Sequence, residues 1–316
     1  MAITLNHWKN ASMYKPLLLV ILTLLISGCP NPAAYREPIT RFQQASTVVI
    51  EGARTEYGLA NSIERNAEID RLAAKKSRIE LSNLNDPAIR LLEPDSLNAR
   101  LAALDTLAKH GQLLLTLASS DAPTRAKDAA NSLDDAIVGL SSSLGKVPSD
   151  KFKSSAEGFA TIAGEAAKLA LDAKIAKALD KAIVASEKHV TEILKLIKDD
   201  LGDLYERRRS NLSAARKFAV DAYNVELSSQ NRKPDTLQQK VSEIKKAEDA
   251  WDNLPLLLGA GPGLDAMAQA HQKLVDYAKS SKSPQDLAEL VEATDAFVTR
   301  AKVIADAIKT IKKAEE

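Results

Sequence analysis

Apolar residues along most of the chain recur at the three- and four-residue spacing of an amphipathic α-helix. The clearest stripe has the four-three spacing of coiled coils and consists of Ala126, Ala130, Leu133, Ile137, Leu140 and Leu144. Beyond residue 80 the periodicity breaks at prolines, namely Pro87, Pro94, Pro123, Pro148, Pro234, Pro255, Pro262 and Pro284. Because proline lacks an amide hydrogen and ends or kinks a helix, these positions mark helix boundaries. The pattern predicts an all-α protein with seven or eight helices.

One apolar stripe continues with little interruption from Asp172 to Ser228. As a single helix this segment would measure roughly 85 Å at 1.5 Å per residue. We therefore predict an elongated multi-helix bundle with one long central helix. Residues 39–171 form the predicted N-terminal helical region, whose first helix runs from Ile39 to Leu84. Residues 172–316 contain the long helix and a C-terminal helical bundle.

A different pattern occupies the amino terminus, where Lys9 and Lys15 precede an unbroken apolar run from Leu17 to Ile26. The run is about ten residues long, roughly 15 Å as a helix, which is half the thickness of a bilayer's hydrocarbon core. It is therefore typical of an export signal rather than of a membrane span, and residues 1–28 are predicted to be a signal peptide. Met13 starts a compact signal of its own and is an alternative to Met1 as the first residue.

Two small residues, Ser27 and Gly28, lie directly before Cys29, the only cysteine of the chain. This segment resembles the lipobox of bacterial lipoproteins. The resemblance implies cleavage between Gly28 and Cys29, and attachment of diacylglyceryl and acyl chains to Cys29 that hold the mature chain on a membrane. Residues 29–38 are then a lipidated, proline-rich tether in extended conformation. Pro30 stands where Asp would favour retention in the inner membrane, which favours the outer membrane. The sequence does not distinguish between the periplasmic and the surface face of that membrane.

Charge and composition exclude several classes of function. The chain has 43 basic and 42 acidic residues, so it lacks the basic excess of nucleic-acid-binding proteins. Removal of residues 1–28 takes away Lys9 and Lys15 and changes the formal charge from +1 to −1. The mature chain therefore has no global attraction to anionic lipid, and the membrane contact is predicted to come from Cys29.

No catalytic or metal-binding motif is present in the sequence. None of His110, His189 and His271 has a histidine or carboxylate partner at the helical spacing of a zinc site such as H-E-x-x-H, and His7 belongs to the predicted signal peptide. A G-x-S-x-G nucleophile motif is absent. Charged residues alternate along helix faces as on solvated surfaces, and the run Arg207 to Arg209 is interpreted in the same way. The sequence predicts a protein that is not an enzyme and uses neither cofactor nor metal.

The longest uncharged stretch of the mature chain includes residues 254–264. The favoured interpretation is a buried corner of the bundle. The alternative is an exposed apolar docking tip at Leu256, Leu257 and Leu258, which is too short to span a membrane.

Together these features predict a lipid-anchored structural or interaction protein, an adaptor or scaffold, of the bacterial cell envelope. Its partners are expected to be the membrane, through Cys29, and a protein of unknown identity. The alternative is a membrane-active helical protein that resembles pore-forming toxins and uses the apolar segment 254–264.

Overall fold

The computed structural model describes residues 33–86, 90, 92–119, 123–144, 150–172, 174–231, 233–257 and 260–315. Every regular element in these ranges is an α-helix, which confirms the predicted all-α class. There are nine helices in this described part: α1 Ala33–Ala74, α2 Leu81–Leu84, α3 Pro94–Ser119, α4 Pro123–Leu144, α5 Asp150–Leu171, α6 Ile175–Leu227, α7 Pro234–Leu257, α8 Ala260–Lys279 and α9 Pro284–Glu315.

The predicted long helix is confirmed as α6, which is continuous over 53 residues, roughly 80 Å. Its buried positions follow the apolar stripe from Ala178 through Ile183, Val190 and Ile197 to Leu204. Gly202 lies inside the helix without bending it back, and nothing approaches within 4 Å of the position that a Cβ would occupy there. The burial of one continuous stripe outweighs the weak helix propensity of a single glycine.

Side-chain contacts show how the other helices run along α6. Tyr35 of α1 bonds to Asp180, Tyr57 bonds to Asp200, and Glu64 bonds to Asn211, so α1 is parallel to α6 at a nearly constant register. The helices α7 and α8 follow one another antiparallel to α6, as the pairs Arg216 with Glu248 and Lys198 with Asp265 show.

The remaining long helices complete a bundle around α1 and α6. Antiparallel to α1 lies α3, with Arg54 bonded to Asp105 and the Asn61 side chain bonded to the backbone of Leu92. The α5 helix is antiparallel to α6, and α4 packs between α3 and α5. The α9 helix is parallel to α1 and antiparallel to α8. Its Asp295 bonds to Arg41 of α1, and its Glu289 bonds to Lys273 of α8.

The first helix begins earlier than the sequence predicts. Residues 33–38, expected to be part of an extended tether, form the first turns of α1, and Pro38 lies inside the helix. Tyr35 and Ile39 are buried in the core, and the Tyr35 hydroxyl donates to Asp180 Oδ1 at 2.5 Å. This burial stabilises the helical turns and offsets the hydrogen bond that Pro38 removes.

The first helix also ends earlier, at Ala74 rather than at Leu84. Lys76 adopts a left-handed conformation with φ of 52°, the amide of Ser77 donates to Leu72 O, and the amide of Lys76 donates to Ala73 O. These two bonds form a Schellman motif, which normally has glycine at the left-handed position. Because a lysine occupies it here, the sequence contains no recognisable stop signal.

The apolar segment 254–264 joins α7 to α8 partway along α6. Leu254 at its start and Leu264 at its end are buried. The side chains of Leu256 and Leu257, and the whole of Leu258, lie outside the described residues, so the choice between corner and tip stays a prediction at these positions. Gly263 packs tightly, because a Cβ there would lie 2.3 Å from Ile304 Cδ1 and 3.2 Å from Val49 Cγ2.

Candidate functional site

The three helices α1, α6 and α7 continue together beyond the main bundle. Past Leu204, α6 has only one further buried residue, Ala219. A separate small core forms there from Leu254, packed against Leu59, Tyr205, Leu212 and Trp251. We call residues 59–74, 205–227 and 234–257 the extension, and the rest of the packed helices the main bundle.

Polar contacts bind the three helices of the extension to one another. Arg216 donates through Nε and Nη2 to the Glu248 carboxylate at 2.8 and 2.7 Å, and its guanidinium lies 4.7 Å from the ring centroid of Trp251. Asn211 donates to Glu64 at 3.1 Å. The expectation that the arginine run is solvated is wrong for Arg208, whose largely buried side chain faces Glu56 at 3.9 Å.

Exposed apolar side chains concentrate on distal α6 and in the segment that follows α1. Nine large apolar side chains are exposed among the described residues, and six of them lie on distal α6 or in the segment after α1: Ile79, Leu81, Phe218, Val220, Val225 and Leu227. Phe218 and Val225 are seven residues apart on one side of α6 and are 40% and 73% exposed. Val220 and Leu227 lie on the opposite side of α6, about 180° around the helix from this pair. Exposed apolar residues grouped on one segment are found at interaction surfaces. We call these six residues the apolar end.

A second feature lies inside the main bundle, where six rings form a row from helix to helix. The rings are, in spatial order, His189, Phe159, His110, His271, Phe42 and Phe297, and neighbouring ring centroids are 5.2 to 6.1 Å apart. The row connects α6, α5, α3, α8, α1 and α9. All three histidines beyond residue 28 belong to it.

The two central histidines, His110 and His271, are buried and neutral. Burial lowers the pKa of His110 well below its ordinary value, and the neighbouring His271 lowers it further. Burial also lowers the pKa of His271 to about 4, against a smaller opposing effect of Glu187. The Ser186 hydroxyl donates to Ile183 O at 2.9 Å, so the same oxygen can accept a hydrogen bond from His271 Nε2 at 3.1 Å. This arrangement favours the tautomer of His271 that carries its proton on Nε2.

Around these rings, several buried polar atoms have no hydrogen-bond partner among the described residues. They are His110 Nδ1 and Nε2, His189 Nδ1, Gln43 Oε1 and Ser46 Oγ. Two glycines make room for the polar side chains: a Cβ on Gly158 would lie 2.0 Å from His189 Nε2, and one on Gly111 would lie 1.9 Å from Gln43 Oε1. The tips of the Gln43 and His189 side chains therefore occupy space that these two glycines leave open.

Sequence reasoning about metal motifs missed this cluster, although a signal for it exists. His110 follows Leu107 by three residues and precedes Leu114 by four, which places it on the buried stripe of α3. His271 follows Met267 by four residues and precedes Leu274 by three, which places it on the buried stripe of α8. A histidine that replaces an apolar residue on such a stripe indicates a buried imidazole.

Most of the site residues predicted from the sequence lie outside the part of the chain that the structure describes. Gly28 and Cys29 lie outside the described residues, as do Leu258 and the side chains of Leu256 and Leu257. The described side chains include no group of three His, Cys, Asp or Glu placed to hold a metal ion. None of the described helices contains a stretch long and apolar enough to cross a lipid bilayer.

Comparison with protein-family models, with curated proteins and with solved structures finds no match.

Proposed function

We propose that this chain is a lipid-anchored adaptor of the bacterial cell envelope, which binds a partner protein through the apolar end. The acyl chains on Cys29 hold it on the membrane, and Cys29 precedes Ala33, where the described part of the chain begins, by only four positions. The bound partner is thereby kept at the membrane.

The length of α1 supports this division of roles. From Tyr35 to Ala74 the helix covers roughly 60 Å, so its two ends are far apart. The first end follows the predicted lipid anchor in the chain. The second end belongs to the extension, next to the segment that contains Ile79 and Leu81.

The concentration of exposed apolar side chains is the observation that carries the proposal. Only three of the nine lie elsewhere in the described residues, at Val138, Leu171 and Val303, and these belong to three different helices of the main bundle. Single exposed apolar residues are normal on a folded protein. Four on the last turns of α6 and two in the segment that follows α1 are more than solubility alone favours, and apolar contact is the usual core of a protein interface.

Site-specific photocrosslinking in intact cells tests the proposal. A benzophenone amino acid replaces Phe218 or Val225 and, as matched controls on the main bundle, Val138 or Val303, which are also exposed. We expect both extension positions to give the same protein adduct and both controls to give none. The adduct should decrease when Cys29→Ser removes the anchor.

Two outcomes would contradict the adaptor role. Equal adducts at the control and extension positions would show that the apolar end is not the binding surface. Crosslinks from Phe218 and Val225 to lipid alone would support membrane activity instead.

A further inference from the structure

We propose that His110 and His271 form an acid-sensitive latch in the main bundle: adding a proton to either imidazole loosens the packing of α3 and α8, while the extension keeps its structure. The inference rests on the placement of the two rings. They are buried, their centroids are 5.8 Å apart, and they lie at the centre of the six-ring row. It concerns regulation and is independent of the proposed adaptor function.

An imidazolium at either position would lack a compensating charge. His110 has no hydrogen-bond partner for either nitrogen among the described residues. His271 has Ser186, whose hydroxyl hydrogen is already donated to Ile183 O. Two protonated rings at this separation would also repel each other directly. A buried charge without an ionic partner is expensive, so protonation favours a state in which the rings reach water.

The charged groups that affect the pKa values of His271 and His189 come from α6, and their carboxylates are already engaged. Glu187, the one charged group that raises the pKa of His271, bonds to Lys279 at 2.7 Å and to Gln272 at 3.1 Å. Glu192 accepts from Ser155 at 3.1 Å and lies 3.8 Å from Lys188. His189 at the end of the row is only partly buried, and Glu192 raises its pKa against the larger lowering effect of burial.

The other helices bring neutral groups or exposed charges to this region. Gln43 and Ser46 come from α1, Phe159 comes from α5, and Phe297 comes from α9. On α1, Arg41 is engaged with Glu37 and Asp295, and Arg54 with Glu51 and Asp105. The acidic residues of α4, of α5 and of α9 near these levels are exposed: Asp128, Asp134, Asp135, Glu157, Glu165, Glu292 and Asp295. Lys109 next to His110 is half-buried and positive, so it cannot compensate the charge of an imidazolium.

The size of the pH effect on the opening equilibrium follows from the change in the histidine pKa when the bundle opens. If the pKa of His271 rises from about 4 in the closed bundle to its ordinary 6.5 in the opened one, lowering the pH from 7.5 to 5.0 favours opening by about 30-fold from this residue alone. His110 adds an effect of the same sign.

Hydrogen exchange followed by mass spectrometry tests the latch on the full chain, purified in nonionic detergent. Exchange at pH 7.5 and pH 5.0 is corrected for the intrinsic pH dependence of amide exchange. We expect wild-type α3 and α8 to lose at least tenfold protection at pH 5.0, while α7 loses less than threefold. The double variant His110→Phe, His271→Phe should keep its protection, and the control His189→Gln should behave like wild type.

Three results would overturn the latch: unchanged wild-type protection at pH 5.0, equal loss in the double variant, or loss of the effect in His189→Gln. A second measurement covers a double variant that does not fold. In nuclear magnetic resonance spectra of the wild type, we expect the His110 and His271 ring protons not to titrate until protection is lost. Titration of both rings near pH 6.5 with protection intact would equally refute the proposal.

Discussion

Arg100 of α3 and Asp200 of α6 form a two-pronged ion pair, in which Nε and Nη2 donate to the two carboxylate oxygens at 2.6 and 3.0 Å. The Tyr57 hydroxyl of α1 donates to the same carboxylate at 3.3 Å. Burial raises the pKa of Tyr57, and the charge of Asp200 adds to that effect, so the phenol stays protonated and acts as a donor. One carboxylate therefore joins three helices.

Replacing this carboxylate should destabilise the protein. Asp200→Asn leaves Arg100, whose side chain is only 16% exposed, without its charged partner and weakens the bond to Tyr57. We expect the free energy of unfolding to fall by about 2 kcal/mol, since the pair is only partly buried. Urea unfolding followed by circular dichroism measures it. The control Glu206→Gln, in a mostly exposed pair on the same helix, should change stability by less than about 0.5 kcal/mol. Equal effects of the two changes would contradict the bridging role of Asp200.

Two glycines in helices should respond in opposite directions to alanine. Gly263→Ala brings a methyl group against Ile304 and Val49 and should cost about 1 to 3 kcal/mol through overpacking. Gly202→Ala meets open space within α6 and should stabilise the protein by about 0.5 to 1 kcal/mol, because alanine favours the helix. Thermal unfolding of both variants checks the pair. Destabilisation by Gly202→Ala would mean that α6 is not a regular helix at this point.

The pH dependence of stability should change when Glu56 is replaced. Burial raises the pKa of Glu56 to about 7 against the lowering effect of Arg208, whereas the unfolded chain has the ordinary value near 4.5. The proton is then retained in the folded protein and released on unfolding between these values. The contribution of Glu56 to stability is therefore fully present below pH 4.5 and is lost as the pH rises through 7, by up to about 3 kcal/mol.

Glu56→Gln removes this titration. Compared with Glu56→Gln, the wild type should lose free energy of unfolding between pH 5 and pH 8. Urea titrations of both proteins at the two pH values measure this change. A difference that is constant with pH would refute the raised pKa. The histidine pair has the opposite sign, because its lowered pKa values destabilise the fold as the pH falls from 6.5.

Replacing a leucine by aspartate should reduce stability strongly in the small core of the extension and hardly at all at an exposed position. Leu254→Asp places a carboxylate among Leu59, Tyr205, Leu212 and Trp251 and should cost several kcal/mol, which unfolds the extension first. Leu81→Asp, at a residue that is 76% exposed, should leave the melting temperature unchanged. Fluorescence of Trp251, the single tryptophan outside residues 1–28, reports the transition of the extension. A Leu254→Asp variant that melts like wild type would show that this core does not hold the three helices together.

Lipidation should depend entirely on Cys29. Because the lipobox resemblance implies that the thiol accepts diacylglycerol, and the sequence has no second cysteine, Cys29→Ser should abolish metabolic labelling with an acyl probe and leave an uncleaved or soluble exported form. Equal labelling of wild type and Cys29→Ser would eliminate the lipoprotein prediction.

The hydrophobic pattern was sufficient to predict the position of those helices that depend on local interactions. The stripe from Ala126 to Leu144 corresponds to α4, and Asp172 to Ser228 corresponds to α6 within a few residues. Ser283 and Asp286 exchange the two hydrogen bonds of a capping box at the predicted start of the last helix. Periodicity, proline positions and caps determine such elements because their spacing is local in sequence.

The tertiary structure decided the features that depend on partners distant in the chain. Burial of Tyr35 against Asp180 extends α1 through Pro38, and residues 110 and 271 meet in the core although 160 positions separate them. The register of α7 and α8 along α6 divides the main bundle from the extension and so determines which apolar residues stay exposed. A one-dimensional pattern shows that a helix face is apolar, but only the packing of helices against each other determines what covers that face.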